Sequence, residues 1–312
     1  MARGSAEQAL IEGLKVFDET GENIANLRLN FARELIRSNE YPAAKEQLTL
    51  CLAAKEAIKG SESREIVEVL VDLGKAEAAL GEPEAVIHFR RARDLSSVYK
   101  DYEIEAEVNL TAGNTLFQTR QDADAIEFLK PANRYFTNQY GTADLRSGLS
   151  ALNLGRLQQL QGDSQSALIT LTNALNAFTL NQPRIIDLNI TTRKMLVIVQ
   201  ETLGKSELAT KHLIEIAAVR AGKGDAEPEL VFGGRVPPTQ NADEIAITGS
   251  AVIQFDINTE GRVINTRVVS SSSDIAKVTG EQMVSTQRYS PKMQAGNPVE
   301  AKSIEFRFDL GQ

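Results

Sequence analysis

The sequence predicts a two-part fold, an all-α helical solenoid followed by a small α+β domain. Alanines recur at intervals of 40–42 residues through most of the chain, which indicates a repeated helical unit. Near the carboxyl terminus, Ile304, Phe306 and Phe308 alternate with polar residues, as a strand with one buried face requires. Residues 221–246 are rich in glycine and proline, lack a helical period and are predicted to be a linker. The 312 residues are sufficient for two domains.

The composition argues against several classes of function. The net charge of −8 is spread over both predicted parts, so a nucleic-acid partner is not expected. Cys51 is the only cysteine, which excludes an intrachain disulfide, and it is expected in the core. His88 and His212 have no second ligand at a useful spacing and are expected on the surface. No phosphate loop or hydrolase motif occurs, so we expect no enzyme activity, cofactor or metal.

The sequence contains no apolar run near the roughly 20 residues that a membrane helix needs. Residues 1–5 also lack the apolar centre of a signal peptide. We therefore expect a protein that is soluble as made, or one whose leader or anchor lies outside this sequence.

Residues 5–220 are predicted to be helical because they are rich in Ala, Leu, Glu, Gln and Arg. Residues 1–20 contain a predicted capping helix, since a terminal repeat otherwise exposes its apolar face. Residues 21–220 divide into about five helix pairs around the aligned alanines, which are Ala44, Ala85, Ala125, Ala167 and Ala209. Four residues after each alanine comes a large apolar residue, at Leu48, Phe89, Leu129, Leu171 and Leu213.

This pattern resembles the tetratricopeptide repeat (TPR), a helix-turn-helix unit that stacks into a right-handed solenoid. Gly74, Gly113 and Gly155 precede three of the alanines by 11 or 12 residues, where small residues let paired helices approach closely. The chain departs from the family pattern in having no tryptophan, no consensus proline and a longer period. An irregular helical bundle is the alternative.

The TPR resemblance implies a concave groove, lined by the first helix of each pair, in which a protein or peptide partner binds. The groove positions carried over from the family are Asn26, Arg33, Arg37, Lys75, Asn114, Gln118, Arg156, Gln159 and Lys194. Arg33, Lys75 and Arg156 share one repeat position, which predicts a preference for an acidic segment. The alternative is a polar, solvated wall without a ligand.

The carboxyl-terminal domain, residues 247–312, is predicted to have the order ββαβ. Residues 251–257 alternate between apolar and polar, and a turn at residues 258–261 leads into a second strand, which indicates a hairpin. Serines and Asp274 then cap a helix that carries Ile275, Val278 and Met283 at helical spacing. Because Pro291 disfavours helical geometry before it, this helix should end near Tyr289.

This domain resembles the TonB C-terminal domain over residues 228–310. The matching segments are Gly249-Ser-Ala-Val-Ile-Gln-Phe-Asp-Ile, Gly261-Arg-Val, Val268-Val-Ser-Ser, Arg288-Tyr-Ser-Pro, Gly296-Asn-Pro-Val and Ile304-Glu-Phe-Arg-Phe-Asp-Leu. Two departures occur. Pro237-Pro238 stands where the family has Tyr-Pro, and the helix opens with Ile275-Ala-Lys-Val instead of Leu-Asp-Ala-Ala.

The TonB resemblance implies a bacterial periplasmic protein that grips an extended segment, the TonB box, of an outer-membrane transporter. An unpaired strand edge supplies such binding through its backbone groups. The implied edge residues are Lys302, Ser303, Ile304, Glu305, Phe306, Arg307, Phe308 and Asp309. The family's membrane helix, which engages ExbB and ExbD, has no counterpart here. Contact with ExbB and ExbD, and anchoring in the inner membrane, are therefore implied only if such a helix precedes this sequence.

Two functions remain open at this point. The first is a TonB-like adaptor or energy-transducer component that binds TonB-dependent transporters while the TPR-like repeats recruit a second protein. The second is an envelope scaffold or assembly protein in which both domains bind proteins and no transporter is coupled. A pull-down from a bacterial envelope separates them, because only the adaptor should recover outer-membrane transporters.

Overall fold

The computed structural model describes residues 2–179, 183–222, 224–233 and 249–310. The contacts divide the chain into two compact units, Met1–Leu157 and Gln158–Gln312. This division falls earlier than the boundary near residue 220 that composition indicates, because the last helices pack with the carboxyl-terminal domain. The predicted fold class, a helical solenoid followed by a small sheet domain, is confirmed.

The first unit is helical, and the second combines helices with short sheets. The helices of the first unit are α1 (Ala2–Gly13), α2 (Glu22–Arg37), α3 (Tyr41–Lys59), α4 (Val67–Leu80), α5 (Glu84–Val98), α6 (Tyr102–Gln118), α7 (Asp122–Tyr140) and α8 (Leu145–Leu160), which continues into the second unit. The second unit adds α9 (Ser164–Ala177), α10 (Pro183–Thr202), α11 (Ser206–Ala221), β1 (Glu229–Phe232), β2 (Gly249–Ile257), β3 (Val263–Ser271), α12 (Asp274–Ser285), β4 (Arg288–Ser290), β5 (Lys292–Gln294), β6 (Asn297–Val299) and β7 (Ala301–Leu310).

Each helix pair is built around its aligned alanine. All five alanines, and the large apolar residues four positions after them, are fully buried. A Cβ atom on Gly113 would lie 2.5 Å from Cγ of Leu129, and one on Gly74 would lie 2.8 Å from the ring of Phe89. These glycines therefore allow the close helix approach that the repeat pattern predicts.

The carboxyl-terminal domain is an antiparallel sheet whose inner face packs against α12. The strand order is β3-β2-β7, and Ile253 on β2 lies opposite Phe306 on β7. Phe255 and Phe308 belong to the core of this domain. A Cβ atom on Gly280 of α12 would lie 2.3 Å from the Phe308 ring, so helix and strand meet where no side chain intervenes. The short ribbons β1-β4 and β5-β6 supplement the predicted ββαβ order.

Strand β1 lies within the segment that the composition assigns to a linker. It pairs antiparallel with β4, with Glu229 opposite Ser290. Val231 and Phe232 pack against an apolar cluster of α10 and α11 that includes Val197. The predicted linker therefore contains an ordered strand. Residues 234–248, with Pro237 and Pro238, lie outside the described residues.

Both histidines are half-buried and contact other side chains, which corrects their expected surface positions. Nδ1 of His88 lies 2.6 Å from Oε2 of the buried Glu77. Nδ1 of His212 lies 3.1 Å from Nη1 of Arg193. Burial, assisted by the positive charge of Arg193, lowers the pKa of His212 to about 4. Cys51 is buried as expected, and burial raises its pKa to about 11.

We expect His212 to make the second unit less stable in mild acid. The pKa of His212 is lower in the folded chain than in the unfolded chain, so between these values the unfolded chain binds the proton preferentially. Its contribution is full above about pH 6.5 and should fall by about 2 kcal/mol between about pH 7.5 and pH 5. Denaturant unfolding at both pH values measures this loss. A His212→Gln variant with the same pH dependence as the parent would contradict the assignment.

Candidate protein-binding surfaces

The free edge of β7 is the first candidate surface. In the sheet order β3-β2-β7, β7 pairs with β2 on one side and with no other strand of the described chain. Residues 304–310 pair with β2 in unbroken register, from Ile304 opposite Phe255 to Leu310 opposite Gly249. Among the residues that the structure describes, nothing pairs with the other side of this segment, which is therefore a regular, unpaired strand edge.

The hydrogen bonds of β2 show which backbone groups of β7 point outward. The carbonyl of Ser250 accepts a bond of 2.9 Å from the amide of Ser272, so the backbone groups of Ser250 point toward β3. Neighbouring residues of a strand point to opposite sides, so Ala251 points toward β7 and pairs there with Phe308. From Phe308, the direction of the backbone groups alternates along β7, toward β2 and away from it. The outward backbone groups are those of Glu305, Arg307 and Asp309.

The side chains of β7 also alternate, as the sequence predicts. Phe308 is buried and Ile304 and Phe306 are half-buried against the core, whereas Glu305, Arg307 and Asp309 are exposed. The edge residues Lys302 and Ser303 are exposed too, and they lie at a bulge where Ser303 has a φ of 57°. The Ser303 amide donates to Oδ1 of Asp256 over 2.9 Å. The part of β7 that can pair regularly with an added strand therefore begins after Ser303.

The opposite edge of the sheet is irregular. The pairing of β3 with β2 shifts register twice, between Val252 and Ile253 and between Gln254 and Asp256. Asn265 on β3 has a φ of 53°. Bulges twist and interrupt a strand edge, which makes it a poor template for another strand. Of the two edges, β7 is the one suited to strand addition.

In the first unit, predicted groove residues line a cavity of about 450 Å³. Its apolar wall includes Val71, Ile104 and Val108. The predicted groove residues Arg33 and Lys75 meet here, because both bind the buried Asp72, at 2.7 and 2.9 Å. Arg33 also pairs with Glu68 at 2.7 Å. Carboxylates of α4 therefore already neutralise both cations, from the next repeat in the case of Arg33 and from its own helix in the case of Lys75.

The other predicted groove residues of the first unit do not converge on that cavity. Arg156 stacks over the ring of Phe117 at 4.6 Å. Oδ1 of Asn114 accepts from Asn153 at 2.8 Å. Arg37 pairs with Glu34 on its own helix. Asn26 and Gln118 are exposed.

The two predicted groove residues of the second unit are already engaged by the chain. Gln159 accepts a hydrogen bond of 2.8 Å from Ser164. Nζ of Lys194 lies 2.6 Å from Oε1 of Glu229 on β1. The pairing of β1 with Lys194 is not predicted from the sequence. Glu229-Leu-Val-Phe after Pro228 is nevertheless a short run of strand-forming residues.

Within the described ranges, no helix combines the length and apolar character that crossing a membrane requires. In the same part of the chain, no three potential side-chain ligands from His, Cys, Asp and Glu come together as a metal site.

Residues 239–310 match the family model described as Gram-negative bacterial TonB protein C-terminal. The match covers the three-stranded sheet, α12 and the free β7 edge, so the predicted TonB resemblance of this domain is confirmed. No curated protein sequence matches the chain.

Solved structures share the helical fold. BtubC from P. vanneervenii aligns with a TM-score of 0.58 and 16% identity, over 79% of this chain and 96% of that chain. A putative kinesin light chain from Podosopora anserina with nearly identical TPR-like repeats aligns with a TM-score of 0.54 and 17% identity, over 64% of this chain and 96% of that chain. At these identities the likeness concerns fold alone, and it confirms the TPR-like solenoid. The TonB match supports a protein-interaction role for the carboxyl-terminal domain.

Proposed function

We propose that the chain is a non-catalytic periplasmic adaptor. Its β7 edge captures the TonB box of an outer-membrane TonB-dependent transporter, and its TPR-like repeats recruit a second protein. The observation that carries the proposal is the unbroken, unpaired edge at residues 304–310, within a domain that matches the TonB family. Strand addition at such an edge takes its affinity from the backbone and its specificity from side chains.

The geometry defines how an incoming segment would bind. The outward amides and carbonyls of Glu305, Arg307 and Asp309 offer alternating donors and acceptors at the spacing of an antiparallel or parallel ladder. Each backbone hydrogen bond contributes about 0.5–1.5 kcal/mol net. The side chains of the same residues lie on the exposed face, so changes in them should affect binding only mildly.

The cavity of the first unit supports recruitment of a second protein. It offers an apolar wall beside paired charges, which suits an extended peptide with apolar and polar residues. An acidic peptide, which the sequence predicts, would compete with Asp72 and Glu68 for Arg33 and Lys75. The partner of this cavity therefore has to offer more than charge.

Proline at Arg307 tests the edge mechanism. Arg307→Pro removes an outward amide and places a ring on the free edge, while the bonds to β2 remain. We expect it to weaken binding of a synthetic TonB-box peptide by at least about tenfold with little change in thermal melting. The matched control Arg307→Ala should bind within about threefold of the parent, because it keeps the amide. Isothermal titration calorimetry measures both.

Two further variants complete this test. Phe306→Pro should destabilise the domain, because its amide points toward β2. If Arg307→Pro folds and binds the peptide as well as the parent, strand addition at β7 is wrong. Recovery of TonB-dependent transporters by the parent, but not by Arg307→Pro, in an envelope pull-down would separate the adaptor from a scaffold that couples no transporter.

A further inference from the structure

We infer that the last helical pair, α10 and α11, carries a second strand-binding site for an acidic and apolar extended segment. Residues 227–232 of the chain occupy this site as an internal ligand. The site lies in the second unit alone and involves neither β7 nor the cavity of the first unit. It rests on the proposed function only in that it names a partner class for the last repeat, and its test is separate from the test of strand addition at β7. It consists of two cations that hold one carboxylate, a strand edge beside them and an apolar floor.

The carboxylate of Glu229 lies between a cation of α10 and a cation of α11. Nζ of Lys194 is 2.6 Å from Oε1, and Nε of Arg220 is 3.3 Å from Oε2. Lys194 stands at the same position in its repeat as Val71 does in an earlier repeat, and Val71 lines the cavity of the first unit. A cation on the groove face of α10 is thus bound by a carboxylate from the chain itself, as it would be by an acidic peptide.

The backbone of the segment adds to β4 as a peptide strand would. Glu229 lies opposite Ser290, and Leu230 lies opposite Tyr289. Nη1 of Arg220 donates to the carbonyl of Glu227 at 3.2 Å and to Oγ of Ser290 at 3.1 Å. One guanidinium therefore fixes both the bound strand and the strand that receives it.

Apolar side chains complete the contact. Val231 and Phe232 pack against Val197 and the rest of the α10 and α11 cluster, whereas Leu230 faces solvent with 43% of its surface exposed. A cavity of about 590 Å³ remains beside Phe232. Its lining includes Gln159, Leu160, Ile198, Thr202 and Val231. The internal segment therefore fills only part of the space, and larger side chains have room.

These contacts define the ligand class. It is an extended segment with a carboxylate followed, two and three residues later, by apolar side chains. A four-residue strand in a two-stranded ribbon is held weakly by its own backbone, so a longer segment of the same chemistry can displace it. The covalent tether gives the internal segment an effective concentration in the millimolar range, which excludes weak competitors. Only ligands that bind more tightly than the tethered segment can therefore occupy the site.

Fluorescence anisotropy with a labelled peptide of residues 226–233 tests this site in the full chain. A Glu229→Lys/Val231→Asp double variant reverses the charge held by Lys194 and Arg220 and places a carboxylate against the apolar floor. Its internal segment should therefore leave the site. We expect the peptide to bind this variant at least about tenfold more tightly than it binds the parent, whose site is occupied.

Matched variants decide the outcome. Adding Lys194→Glu to the double variant should remove the gain, and so should a peptide that carries lysine in place of Glu229. If circular dichroism shows the double variant unfolded, Glu229→Gln removes only the charge and should still give a gain of about threefold. Equal peptide binding by the parent and a folded variant, or no binding by the folded variant, would overturn the internal-ligand assignment.

Discussion

Replacing Gly261 with alanine should unfold the carboxyl-terminal domain or destabilise it by at least about 3 kcal/mol. Gly261 ends the hairpin turn between β2 and β3 with a φ of 75°, and a Cβ atom there would lie 1.8 Å from the carbonyl oxygen of Tyr289. The Gly261 carbonyl also accepts a bond of 2.9 Å from the Tyr289 amide, so the two backbones cannot separate without losing it. Denaturant unfolding of the full chain should show an early transition, and binding at β7 should be lost with it.

Gly296 provides the matched control. Its φ of 77° is nearly the same, yet no atom of the described residues lies within 4 Å of a Cβ placed there. Gly296→Ala should therefore cost only the strain of the left-handed conformation, about 1–2 kcal/mol. If the two alanine variants unfold at the same denaturant concentration, the contact with Tyr289 does not limit the turn.

The second large effect is expected at Arg288, whose side chain joins β4 to the last helical pair. Arg288 is 4% exposed, pairs through Nη1 with Glu201 of α10 and donates through Nη2 to Oγ1 of Thr210 at 2.7 Å. Nη2 also lies 3.3 Å from the carbonyl of Glu260. Arg288→Met keeps much of the volume but leaves the largely buried Glu201 without its cation. We expect a loss of about 3–5 kcal/mol from the second unit, measured by denaturant unfolding.

An exposed pair in the same domain gives the comparison. Arg262 pairs with Glu260 at 3.2 Å in contact with solvent, so Arg262→Ala should cost no more than about 1 kcal/mol. Glu201→Gln introduced into Arg288→Met should restore part of the lost stability, because it removes the unpaired charge. A Met variant as stable as the parent would mean that Arg288 does not join β4 to the helices.

The elements that could be predicted from the sequence are those in which burial imposes a local period. The aligned alanines fall every 40–42 residues because each faces the neighbouring helix of its pair, and all of them are fully buried. The alternation of Ile304, Phe306 and Phe308 gave the correct buried face of β7 for the same reason. The first pattern is found by comparing repeats and the second within one strand, and neither requires knowing which distant segments come into contact.

The remaining features depend on contacts between segments distant in sequence. Asp72 neutralises Arg33 from the next repeat, and Glu229 reaches Lys194 across 35 residues. Local composition favoured a linker around β1, because glycine and proline surround its four residues. The sequence predicts His212 on the surface, but it is half-buried and contacts Arg193 on the adjacent helix. Charge partners on the same helix, on a neighbouring helix or on β1 decide what the groove positions offer.

The open edge of β7 also bears on self-association. A second copy can overlap all of residues 304–310 in an antiparallel arrangement only when the pairing is centred on Arg307. That register would place Arg307 opposite Arg307 and Glu305 opposite Asp309, so every exposed charge would meet its own sign. Like charges directly opposite each other destabilise a strand pair. The charge pattern thus disfavours the fully overlapped self-pairing of this edge, whereas a foreign segment without the pattern meets no such repulsion.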